Sequence, residues 1–240
     1  MTEYFEPNFE MGKPLPDWRG AGDLPRTSVT GRYCTLAPAS VEEHADDLFM
    51  VFQRGQDTRD WLYLPYGPFD DREAFRAWMT STCLGEDPLF FAIRDLASGH
   101  VTGIASYLNI KPSLGSVEVG HIHFSPVIQR SPAATEAMYL MMRRVFEAGF
   151  RRYEWKCDTL NQRSRRAAER FGFSFEGVFR QHLVVKGRNR DTAWYACIDH
   201  EWPSLKNAYE TWLAPDNFDA RGQQRLKLGE LTRPVVGKIK

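Results

Sequence analysis

Residues 117–137, VEVGHIHFSPVIQRSPAATEA, constrain the fold more than any other stretch. Val117–Phe124 alternates as a strand does, the chain breaks at Pro126, and a helix runs from Pro132 to Ala148. Pro132 suits a first helical position, Glu136 falls in the first turn, and Gly149 follows as a stop. Ala137, Met141, Val145 and Ala148 form the apolar stripe of that helix. A strand that runs straight into a helix places unpaired backbone N–H groups and the positive dipole end at the strand's tip. That arrangement binds phosphate.

The rest of the chain supplies a sheet for this unit. A strand at Arg32–Leu36 precedes a helix capped by the box Ser40-x-x-Glu43, with Ala45, Leu48, Phe49 and Phe52 at helical spacing. A second helix runs from Asp71 to Cys83. Leu89–Arg94 and Val101–Leu108 read as a hairpin about Asp95–Gly99. Later come a strand at Tyr153–Cys157, a helix at Asn161–Phe171, a strand pair at Phe173–Lys186 and Arg190–Ile198 turning at Lys186–Asn189, and a helix at Trp202–Leu213. The reading is one mixed α/β domain over 31–200 with helices on both faces, an irregular arm over 1–30, and a C-terminal helix and tail over 201–240.

Composition narrows the function. Thirty-one basic residues balance 31 acidic ones, which argues against a dedicated nucleic-acid binder. No apolar run approaches a membrane span, and the acidic, aromatic N-terminus is unlike a secretory signal, so the cytoplasm is expected. Cys34, Cys83, Cys157 and Cys197 are far apart, form no CxxC pair and read as buried thiols. His121 and His123 alternate on one strand without an evident third ligand, so no metal is expected. Charge is uneven, however: residues 42–73 hold nine acidic and three basic residues, whereas 143–190 hold thirteen basic and five acidic ones. An anionic ligand in the C-terminal half and a cationic one near Asp57, Asp60, Asp70 and Asp71 would use that asymmetry.

A second stretch, YEWKCDTLNQRSRRAAERFGF over 153–173, takes a strand to Asn161 and, one turn later, Ser164. Together, Glu118-Val-Gly120, the Gln129–Ala137 loop and helix start, and Asn161-x-x-Ser164 followed by Arg170-Phe-Gly-Phe173 resemble the GNAT N-acetyltransferases. More narrowly, they resemble the branch that holds the ribosomal-protein N-terminal acetyltransferases. The resemblance spans roughly residues 30–200.

The resemblance implies a mostly antiparallel sheet that splays into a V between the strand ending at Phe124 and the strand Tyr153–Cys157. Acetyl-CoA would lie in the V, with its diphosphate on main-chain amides of Gln129, Arg130, Ser131, Ala133, Ala134 and Thr135. Gln129 and Ala134 fit the family loop, but Pro132 stands where glycine is usual and removes one donor. A bulge near His123, Phe124 and Ser125 would aim an N–H at the thioester carbonyl. Glu118 would collect the amine proton, Ser164 would protonate the leaving thiolate, and Asn161 would hold the pantetheine. The acceptor would be a small-molecule or peptide amine, and the protein a monomer or homodimer.

Each of these residues also has an ordinary role. Asn161 is a helix cap, Ser164 a surface serine and Glu118 a paired strand carboxylate, and His121 could replace Glu118 as base. Trp61, Tyr63, Tyr66 and Phe69 form either an acceptor wall or plain core. The alternatives to an acetyltransferase are an acyl-CoA-binding sensor without turnover, or an RNA- or ribosome-associated protein using the basic 143–190 face.

Overall fold

The computed structural model describes residues 12–53 and 58–235. The first part of the expected arm, Asp57 and residues 236–240 lie outside the described residues. Eight strands form one sheet: β1 (Val29–Thr30), β2 (Cys34–Pro38), β3 (Leu89–Asp95), β4 (Val101–Lys111), β5 (Ser116–Phe124), β6 (Arg152–Asp158), β7 (Ser174–Val185) and β8 (Arg188–Ile198). Their order is β1-β2-β3-β4-β5-β6-β8-β7, and only β5 and β6 are parallel neighbours. The helices are α1 (Val41–Gln53), α2 (Arg72–Thr82), α3 (Pro132–Glu147), α4 (Gln162–Arg170), α5 (Trp202–Leu213) and α6 (Leu228–Thr232).

Strand alternation divides the core. Phe91, Tyr107, Val119, Trp155 and Tyr195 face α3 and α5, while Phe90, Ala92 and Ile104 face α1 and α2. This is the mixed sheet with helices on both faces that the sequence implies.

Local chemistry sets the element ends. Asp71 caps α2 by accepting from Ala74 N–H at 2.8 Å. Ser40 accepts from Glu43 N–H at 3.2 Å, but the reciprocal bond of the expected capping box is absent. The Ser40 amide donates instead to Nδ1 of buried His44. Lys186 (φ 49°) and Gly187 (φ 71°) are both left-handed, which makes a two-residue hairpin turn. The turn is therefore tighter than the expected Lys186–Asn189, and β8 begins at Arg188.

Three expectations change at the periphery. The expected strand start at Arg32 moves to Cys34, because Arg32, Tyr33 and Cys34 direct their amides at Glu136, at 2.7, 2.6 and 2.8 Å. Parts of the expected arm are tied down: Trp18 Nε1 donates to Ser113 O at 2.9 Å, and Val29–Thr30 pairs with β2. The tail is docked too, with Leu228 and Thr232 of α6 fully buried against the body.

Candidate active site

The parallel pairing of β5 and β6 covers only Ser116–Val119 against Arg152–Trp155. Beyond it, β5 pairs only with β4 as far as Phe124, and β6 only with β8 as far as Asp158. The two strands thus part company in the middle of the sheet, leaving one edge of each without a strand partner.

The bulge lies earlier than expected. His121 and Ile122 together oppose Ala105, and His121 takes the left-handed conformation (φ 51°). The expected position near His123–Ser125 is ordinary ladder: His123 pairs with Ile104, and Ser125 N–H donates to Thr102 O at 3.0 Å. Because N–H directions alternate along a strand, the amide and carbonyl of Phe124 face the open edge. Its carbonyl accepts from Gln129 Nε2 at 2.9 Å, so that side chain closes the loop.

The loop into α3 retains fewer free donors than expected. Ser131 N–H turns back to Ile128 O at 3.0 Å, Ala134 N–H bonds Ser131 Oγ at 3.2 Å, and Thr135 N–H bonds Ser131 O at 3.2 Å. Pro132 has no N–H. Among the described residues, Arg130 and Ala133 keep unpaired amides at the positive end of α3. Arg130 is exposed at φ 64°, and Arg170 Nη2 reaches Thr135 Oγ1 at 3.2 Å.

Across the opening, Asn161 caps α4 by accepting from Ser164 N–H at 3.1 Å. The donor-only indole of Trp155 bonds Ser164 Oγ at 3.0 Å, so the hydroxyl proton is directed at another acceptor, and the neighbouring Cys157 sulfur is one. The neighbouring Cys157 thiol is pushed up by burial, an effect offset in part by its bond from Ser164.

Glu118 faces the α1/α2 side and is nearly buried. Its Oε2 accepts from Asn109 Nδ2 and from Lys156 Nζ, each at 2.8 Å. Lys156 also pairs with Glu154 at 2.8 Å, and its ammonium sits 4.0 Å from the Trp194 ring centre. Arg152 continues the chain, bonding Glu154 at 2.7 Å and Glu176 at 2.7 Å. Burial works to raise the Glu154 pKa, but the bonds from Arg152 and Lys156 outweigh it and hold the carboxyl below its usual range. Sequence reasoning missed Lys156 and Asn109, because only the β4-β5-β6 register brings them to Glu118.

Above the bulge lies an aromatic group. His123 is held between the rings of Phe52 and Trp61, at 4.0 and 4.1 Å, and burial lowers its pKa to about 4. His121 Nδ1 meets Tyr66 OH at 3.0 Å, and its pKa too is lowered by burial. Trp61, Tyr66 and Phe69 share one ring cluster with Phe75 and Trp78, so they are core as well as wall. Lys186 Nζ pins this segment through Trp61 O, Tyr66 O and Gly67 O at 2.9, 3.1 and 2.7 Å, and Asp60 meets Arg163 of α4 at 3.1 Å. His123 Nδ1, Ser125 Oγ and Thr102 Oγ1, where β4 meets the end of β5, make no hydrogen bond among the described residues. No group of three or more metal-ligating side chains occurs among the described residues, and no helix there is long and apolar enough to cross a membrane.

Comparisons with known proteins agree on one family. The family profile described as acetyltransferase (GNAT) domain matches residues 34–174. A GCN5-related N-acetyltransferase from Brucella melitensis is 48% identical, with a TM-score of 0.88 over 91% of this chain and 100% of that one. A probable acetyltransferase of the GNAT family from Chromobacterium violaceum is 39% identical, with a TM-score of 0.75 over 82% of this chain and 100% of that one. The Microcin C7 self-immunity acetyltransferase MccE, solved with acetyl-CoA and AMP, shares the fold at 18% identity, with a TM-score of 0.61 over 70% of this chain and 93% of that one. A comparison with curated proteins finds no match.

Proposed function

We propose, from the premise that this chain belongs to the GNAT acetyltransferases, that it transfers an acetyl group from acetyl-CoA to a primary amine. The acceptor is a small-molecule amine or a peptide N-terminus, and transfer is direct, within one ternary complex. One observation supports this reading: β5 and β6 part beyond Val119 and Trp155, and the helices α3 and α4, which begin at the loop amides and at Asn161, follow those two strands. The residues present suit a pantetheine diphosphate. An unpaired strand edge accepts the arm's amides as a missing strand would. The amides of Arg130 and Ala133, with the Arg130 side chain, make a smaller diphosphate cradle than the loop sequence implies, and one that keeps its positive end.

Each step then has a group to which this reading assigns it. The Phe124 N–H is oriented to polarise the thioester carbonyl, and the side-chain amide of Asn161 can donate to the pantetheine. Ser164 gives its hydroxyl proton to the departing thiolate. Glu118 takes the proton of the attacking amine through Oε1, while Asn109 and Lys156 fix Oε2. A second reading of the base has a specific observation behind it. With Oε2 engaged, His121 is the neutral alternative, and Tyr66 holds its ring at the bulge.

The test is thiol release from acetyl-CoA across a panel of amines and short peptides. Ser164→Ala should lower kcat by about 10²-fold with little change in the acetyl-CoA KM. Glu118→Gln should lower kcat by about 10²-fold as well. If turnover survives Glu118→Gln and is lost in His121→Ala, His121 is the base. Binding without turnover by any panel member would favour the sensor.

A further inference from the structure

The chain continues beyond the matched family domain, and that continuation builds a basic concavity beside the proposed diphosphate end. A cavity of about 380 Å³ lies between the C-terminal end of α4 and α6, lined by Arg170, Gln224, Lys227, Gly229, Glu230 and Arg233. Three of these are cations. The one carboxylate, Glu230, is neutralised by Lys227 at 3.2 Å. Arg233 is exposed and makes no ion pair among the described residues. Gln224 Oε1 accepts the Trp212 indole proton at 2.8 Å, which leaves its NH₂ as a donor.

Arg170 joins this cavity to the α3 N-terminus. Its guanidinium lies over the rings of Phe171 and Trp212, 5.2 Å from each centre, and Nη2 donates to Thr135 Oγ1 in the first turn of α3. One rigid side chain thus spans from the amide end proposed for the diphosphate to a cavity with excess positive charge. A ligand whose diphosphate sits at that end and which carries a further phosphate one nucleoside away fits both. CoA is such a ligand, because its adenosine bears a 3′-phosphate beyond the diphosphate.

We propose that the cavity between α4 and α6 binds the 3′-phosphate of CoA, with Lys227 and Arg233 as its exposed contacts and Arg170 as its fixed wall. This rests on the acetyl-CoA reading above. It makes the C-terminal segment a specificity element, one that favours free CoA thioesters over acyl groups carried on a phosphopantetheine lacking the adenosine phosphate.

The experiment is calorimetric titration of the full chain with CoA and with 3′-dephospho-CoA. Wild type should bind CoA at least tenfold more tightly. Lys227→Ala/Arg233→Ala should weaken CoA to the level of 3′-dephospho-CoA and leave the latter unchanged. Lys227→Glu alone should shift CoA affinity in the same direction. Both side chains are exposed, and an unchanged thermal midpoint confirms an intact fold. Equal affinity for the two ligands in wild type, or a preference that survives the double substitution, overturns this proposal and leaves the acetyl-CoA reading standing. Absence of binding by either ligand overturns both.

Discussion

His123 shows how one residue records its surroundings. Flanked by Phe52 and Trp61, it is forced to stay neutral, with its pKa lowered from 6.5 to about 4. The unfolded chain therefore binds a proton that the folded chain refuses between those values. Stability should fall as pH drops from 6.5 toward 4, by on the order of 3 kcal/mol for this group alone. Urea unfolding across that window should show a flatter pH dependence for His123→Phe than for wild type. Glu154 acts lower on the scale. Its depressed pKa adds stability that is present above the ordinary carboxylate range and is lost only as pH falls through its folded value. A histidine on a strand was visible in the sequence, but its two flanking rings come from the end of α1 and the turn after it, which only the fold brings together.

At the scale of elements, the clearest case is Glu136. In the sequence it reads as a favourable charge in the first turn of a helix. In the structure it is nearly buried and accepts three main-chain N–H groups from the turn between β1 and β2. Its carboxylate also fills the space beside Gly31 where a Cβ would stand. Glu136→Ala leaves three donors unpaired and should cost about 3 kcal/mol or more in denaturant unfolding. Gly31→Ala should destabilise through the same carboxylate. The β7-β8 turn makes a second link. Lys186→Met removes three bonds to the 61–67 segment and should raise the acceptor KM several-fold while acetyl-CoA affinity holds. Periodicity and caps located most elements within a residue or two, because they are local signals. Glu136, Lys186 and the five-residue α6 escaped because their partners are more than fifty residues away or their length is a single turn.

For the whole molecule, the decisive feature is a sheet that stays continuous at the base of β5 and β6 and then opens. The loop and cap motifs pointed to that opening, since Gln129–Thr135 and Asn161–Ser164 lie at the ends of the two strands that part. Lys227 and Arg233, which flank α6, gather beside Arg170 of α4, while Glu118 of β5, Glu154 of β6 and Glu176 of β7 are threaded by Lys156 and Arg152. Less legible was how the α3 loop spends its own amides. Ser131 uses its backbone and side chain to close the turn, which leaves Arg130 and Ala133 as the free donors. The central claim, that the gap between β5 and β6 receives acetyl-CoA, is tested most directly by titrating amide-labelled protein with acetyl-CoA. The account predicts saturable shifts centred on the N–H groups of Phe124, Arg130 and Ala133. Unmoved signals at those three amides in folded protein, at saturating ligand, would contradict it.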